Sequence, residues 1–252
     1  MSAHIDLGVA LGAKGGLDEE ISEEREAIRL DPNNYVAHYD LGLALSNKRD
    51  LSGAVAEYRE ALRLNPNDEL EHRDLGLALA MKGREDEAIA EFREAIRLDP
   101  SDALAHGALG YTLAHKNDLG GAIAELRESL RLNRNNDTVH SYLGQVLGTK
   151  GDWEGVEAEE REALRLNPSN DMAHVGLGRV LAHKKDWAGA IAEYREALRL
   201  NPNNDSGHFN LGNALEKKGD GREALDEFRK ASALNPNNTG YRQSYERLLR
   251  HK

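Results

Sequence analysis

Residues 35–68 read YVAHYDLGLALSNKRDLSGAVAEYREALRLNPND, and the rest of the chain repeats this stretch. Close copies begin at Met1, Tyr35, Glu69, Ala103, Asp137, Asp171 and Asp205, each 34 residues long and without insertion. The units are therefore 1–34, 35–68, 69–102, 103–136, 137–170, 171–204 and 205–238, with 239–252 left over. A fixed period of this kind predicts a solenoid, in which each unit buries its apolar face against its neighbours. The functional search then turns from a catalytic pocket toward an extended surface.

Within residues 35–68 the apolar positions have helical spacing twice. Leu41, Ala44 and Leu45 share a stripe in the first half, ending near Lys48, a cation suited to a helix C-terminus. Leu51, Ala54, Val55, Tyr58, Ala61, Leu62 and Leu64 form a second. Asp50 is placed to cap the second helix and Asp68 the helix that follows. Pro66 ends the pair. The expectation is two antiparallel helices joined by a short turn.

Small residues say how the helices approach. Gly occupies one position in all units: Gly8, Gly42, Gly76, Gly110, Gly144, Gly178 and Gly212, each preceded by Leu. A helix-interior Gly costs about 1 kcal/mol relative to Ala, so its recurrence points to a steric need. Every proline also falls at one repeat position (Pro32, Pro66, Pro100, Pro168, Pro202 and Pro236), with Arg134 in its place in the fourth unit.

These residues resemble the tetratricopeptide repeat, whose signature is met in the second unit by His38, Leu41-Gly42, Leu45, Ala54, Tyr58, Ala61 and Pro66. The resemblance covers residues 1–238; the remainder, with Tyr241, Tyr245, Leu248 and Leu249, is similar to the capping helix that closes such arrays. It implies an all-α fold, antiparallel helix pairs stacked into a right-handed superhelix, with the first helix of each pair lining a concave groove. It further implies binding of peptides or protein partners there, without catalysis. The chain departs from the family in carrying His where Trp is usual, from His4 to His208. The second-helix aromatic is replaced by Glu24, Leu126 and Glu160.

Composition excludes several classes. The net charge is −11, which disfavours a nucleic-acid partner, whose phosphates need a basic track. There is no cysteine, so neither disulfides nor thiolate metal sites form. No apolar run approaches a membrane span of ~20 residues. The N-terminal residues lack the pattern of a signal peptide, so a cytoplasmic location is expected. No nucleophile–base–acid set stands apart from the repeat, and no cofactor motif occurs, so no enzyme is expected. Gly15-Gly16 and Gly120-Gly121 read as turns, not phosphate loops.

The histidine column does not read as a metal site. Equivalent residues on successive helices lie roughly 8–10 Å apart, too far to share an ion. The expectation is half-buried imidazoles packed in place of Trp. The Glu column from Glu23 to Glu227 and the Arg column from Arg25 to Arg229 read as a solvated convex face with helix-surface pairing.

Positions that vary between units carry the specificity. In the family the fifth and ninth positions point into the groove; here they hold Tyr39, Arg73, Gly107, Ser141, Val175 and Phe209, and Leu43, Leu77, Tyr111, Gln145, Arg179 and Asn213. The candidate peptide-binding residues are Val36, Tyr39, Asp40, Leu43, Leu70, Arg73, Asp74, Leu77, Leu104, Tyr111, His115 and Arg179. They describe an apolar N-terminal half with an acidic row, Asp6, Asp40 and Asp74, suited to a segment bearing hydrophobic anchors and Lys or Arg. A rival is self-assembly through the array ends, where Met1, Ile5 and Val9 lie uncovered. Another is a regulatory segment of a larger enzyme. Arg134, Ser129 and Glu160 together predict a soft joint near residues 129–160, with Glu160 reaching solvent or a basic neighbour.

Overall fold

A computed structural model describes residues 16–250. Among them are fourteen α-helices and no strand. The chain divides into two compact units, one ending at Leu132 and one beginning at Asn133. Met1, Ile5, Asp6 and Val9 lie outside the described residues.

The first unit holds α1 (Leu17–Leu30), α2 (Tyr35–Asn47), α3 (Leu51–Leu64), α4 (Glu69–Met81), α5 (Glu85–Leu98), α6 (Ala103–His115) and α7 (Leu119–Leu132). The second holds α8 (Asp137–Thr149), α9 (Trp153–Leu166), α10 (Asp171–His183), α11 (Trp187–Leu200), α12 (Asp205–Lys218), α13 (Gly221–Leu234) and α14 (Thr239–Leu249). Within each unit every helix packs on the next, and first helices also touch one another, α4 on α6 and α8 on α10.

The caps read from the sequence are present. Asp50 accepts from the Gly53 amide, and Asp68 from those of Leu70 and Glu71. Lys48 ends α2. Each cap satisfies an amide that the helix cannot.

The glycine column has the steric role expected of it. A Cβ on Gly42 would stand 2.6 Å from Tyr58 Cε1, and one on Gly76 the same distance from Phe92 Cε1. Gly110 faces Leu126 and Gly212 faces Phe228 in the same way. Large second-helix side chains therefore lie flat on first-helix backbone. Tyr58, Phe92, Leu126, Tyr194 and Phe228 are among the most buried groups of the molecule. In the second unit Phe209 packs on Phe228 and Tyr241, which ties α14 to the stack.

The histidine column does more than fill space. In α2, His38 Nδ1 lies 2.7 Å from Glu57 Oε2 and its Nε2 lies 3.2 Å from the Pro32 carbonyl. The pattern recurs at His72, His106, His140, His174 and His208. Both ring nitrogens face acceptors, an arrangement a protonated ring satisfies in full. Burial would push His72 and His140 down, but their glutamate and carbonyl partners raise both above the usual histidine range. The glutamates from Glu57 to Glu227 thus bridge helices instead of belonging to a solvated face. The arginine column does pair on the surface, Arg59 with Glu87 and Arg161 with Glu157, beside pairs such as Glu60–Arg63 and Glu94–Arg97.

In the stretch expected to be soft, two of the three departing residues make bonds within the fold. The Ser129 hydroxyl donates to the Ala103 carbonyl at 2.7 Å. The Arg134 carbonyl receives His140 Nε2 at 3.2 Å, as proline carbonyls do elsewhere. Glu160 differs from expectation. It is 2% exposed and makes no ion pair.

Candidate functional site

Eleven of the twelve candidate residues lie in the first unit, on α2, α4 and α6, and Arg179 lies on α10 in the second. The structure sorts the eleven into two kinds.

One kind is engaged within the fold. The Tyr39 hydroxyl donates to Asp74 Oδ2 at 2.8 Å. Arg73 Nε donates to Asp74 Oδ1 at 3.2 Å, and its Nη1 to Asp102 Oδ2 at 3.1 Å. Tyr39 also leans on Tyr58, centroids 5.9 Å apart. Burial and the Asp74 charge push the Tyr39 phenol far above its usual value. This network links successive repeats and engages Arg73 and Asp74 within the fold. Asp40 is half-buried; burial, then Glu20, raise its pKa to about 6. Val36 and Leu43 are half-buried too.

The other kind is exposed and mostly apolar. Leu70, Leu77, Leu104 and Tyr111 stand open, Leu104 to 58%. His115 is exposed and lies against Tyr111, ring centroids 4.4 Å apart. Met81, 52% exposed, belongs with them and was missed. Its signal was available, since it occupies the repeat position of His115 one unit earlier. Leucines this open are not serving the core of their own unit, and their clustering on α4 and α6 is the informative feature.

In the second unit Arg179 does not stand open either. Its guanidinium carbon lies 5.7 Å from the Trp153 ring centre, a cation–π contact. His183 stacks on the same Trp153 at 4.6 Å. Beside Arg179 is a cleft of about 60 Å³ with Glu160 in its wall. Of the candidate residues only Arg179 lines it. Its cue is Gly176, at a repeat position that carries Asp40, Asp74, Ala108, Tyr142 and Asn210 in other units.

Among the described residues no group of three or more His, Asp or Glu is placed to hold a metal ion. No described helix is long and apolar enough to cross a membrane.

Comparisons with known proteins agree with this geometry. Family models described as tetratricopeptide repeat match residues 39–103, 73–137 and 206–238, and one described as TPR repeat matches residues 178–219. No curated protein sequence matches the chain. Among solved structures, a chain of the Cut9–Hcn1 hetero-tetramer of the APC/C is similar with TM-score 0.81 at 19% identity, over 96% of this chain and 48% of that one. The present chain thus spans about half its length. A tetratricopeptide repeat protein from Parabacteroides merdae has TM-score 0.78 at 15% identity, over 98% of both chains. YrrB, described as a TPR protein with an unusual peptide-binding site, has TM-score 0.55 at 21% identity, over 75% of this chain and 97% of its own.

Proposed function

This chain belongs to the tetratricopeptide repeat family, and we propose that it is a protein-interaction scaffold that takes a peptide or protein segment along α2, α4 and α6. Proteins of this fold generally bind other proteins or peptides and are typically not enzymes. The observation that carries the reading is the set Leu70, Leu77, Met81, Leu104 and Tyr111, exposed together on two neighbouring first helices. Apolar anchors of this kind supply most of the affinity of a peptide contact, and flanking charge sets its orientation. Half-buried Asp40 and the surplus of acidic over basic residues favour a segment carrying Lys or Arg beside its anchors.

The test is selection from a random peptide display library on the intact chain. Enriched peptides should pair hydrophobic anchors with basic residues and lose binding to the double variant Leu77→Glu, Leu104→Glu. Both positions are exposed, so helicity should be unchanged. Full retention of binding by that variant would remove this face from the reading.

A further inference from the structure

Glu160 stands where the other described second helices carry Glu24, Tyr58, Phe92, Leu126, Tyr194 and Phe228. Its side chain lies between two first-helix glycines. A Cβ on Gly144 of α8 would fall 2.6 Å from Glu160 Oε1, and one on Gly176 of α10 would overlap the same oxygen. The double absence of side chains gives the carboxyl room and leaves the cleft beside it. Glu160 is 2% exposed, and its Oε2 has no hydrogen-bond partner. Ser141 Oγ, in the same wall and also buried, has none of good geometry. Two buried polar groups left short of partners at one cavity are unusual, because each such group costs the fold its desolvation.

The cleft's other walls fit a particular occupant. Gln145 brings an amide, and Met172 and Val175 bring apolar surface at the cleft. Arg179 also lines the space, but it forms no ion pair with Glu160 and its guanidinium is drawn to Trp153. The local cation therefore leaves the carboxylate without a contact partner. A volume of about 60 Å³ holds a few water-sized groups, enough for an ammonium and the methylenes next to it. It is narrow for a quaternary ammonium.

We propose that this cleft is a subsite for a primary alkylammonium, the end of a lysine side chain, held by the Glu160 carboxylate and the Ser141 hydroxyl with its methylenes against Met172 and Val175. An ammonium offers three donors, and a charge-assisted bond to a buried carboxylate is among the stronger contacts available. Burial holds Glu160 up at about 8, opposed by Ser141 and by Arg179 of α10 and reinforced by Glu159 of α9. An entering cation would bring it down. The source of the amine, a lysine of a bound segment, rests on the scaffold reading above; the chemistry of the cleft does not.

The experiment uses n-butylammonium chloride as probe, so it needs no peptide and stands apart from the test of α4 and α6. The full chain, labelled at Met and Val methyls, is titrated at pH 8.5, with tetramethylammonium chloride at equal ionic strength as control. Saturable shifts of Met172 and Val175 methyls with butylammonium alone are expected. Glu160→Gln, which keeps the shape of the side chain, should weaken binding by about tenfold or more, and Ser141→Ala by about threefold. Thermal melting checks that each variant is folded; if Glu160→Gln is not, Ser141→Ala carries the test. Equal response to tetramethylammonium, the absence of saturable shifts, or wild-type affinity in the folded variants would overturn the proposal.

Discussion

His106 Nδ1 stands 2.6 Å from Glu125 Oε2, and this contact joins the first helix of a pair to the second. The same ring reaches the Pro100 carbonyl with Nε2 at 3.3 Å, so one side chain fastens two helices and the preceding turn. His106→Ala should lower stability by about 2 kcal/mol, in the range for lost hydrogen bonds to charged groups. Glu125→Gln keeps a polar partner and should cost less than half as much. Urea denaturation followed by circular dichroism measures both. Equal loss in the two variants would mean that the charged pairing with Glu125 accounts for all that His106 supplies, and its packing and its bond to the Pro100 carbonyl for nothing.

Gly76 lies under the Phe92 ring, and the clearance there leaves no room for a methyl group. Gly76→Ala gains helix propensity of about 1 kcal/mol yet should destabilise, because overpacking a full core costs about 1–3 kcal/mol. A thermal melt of the variant at or above the wild-type midpoint would contradict this.

The turn between the helices of a pair places one residue in the left-handed region. It is glycine at Gly83, Gly151 and Gly219, but Arg49, Asn117 and Lys185 elsewhere. A side chain there costs about 1–2 kcal/mol, and asparagine bears it best. Lys185→Gly and Arg49→Gly should each raise the melting midpoint, and Asn117→Gly should raise it less. The unfolded-state entropy of glycine reduces but does not reverse the gain. A lower midpoint for Lys185→Gly would show that its side chain makes a compensating contact.

Three buried carboxyls make stability depend on pH. Burial, first of all, raises Glu160 and Glu24 from their ordinary 4.5 to about 8, and burial with Asp68 raises Glu71 to about 7. Between 4.5 and these values the folded state holds protons that the unfolded state has lost, so stability falls as pH rises through that window. His72 and His140, raised above their usual range, act in the same sense as they lose their protons. Melting midpoints should be higher at pH 5.5 than at pH 8.5. Glu160→Gln, neutral throughout, should exceed wild type a little at the lower pH and by much more at the higher one. A variant with the full wild-type slope would show that Glu160 is ionised in the fold at both.

The helix pairs were legible because they rest on local spacing. Leu41, Leu45, Val55 and Tyr58 fall at helical intervals, Asp50 and Asp68 precede the helices they cap, and Gly42 recurs opposite a large residue. Each of these depends on neighbours within one 34-residue period, so one unit taught the others. What depends on a partner across the stack was not legible. Arg73 and Asp74 have the composition of a groove, yet Asp102 and Tyr39 are at the right distance to claim them. Glu160 has the composition of a surface, yet Gly144 and Gly176 leave it a place inside. A residue's type sets what it can bond. Which bond it makes is a matter of distances of about 3 Å between atoms far apart in sequence, and those exist only once the helices have packed.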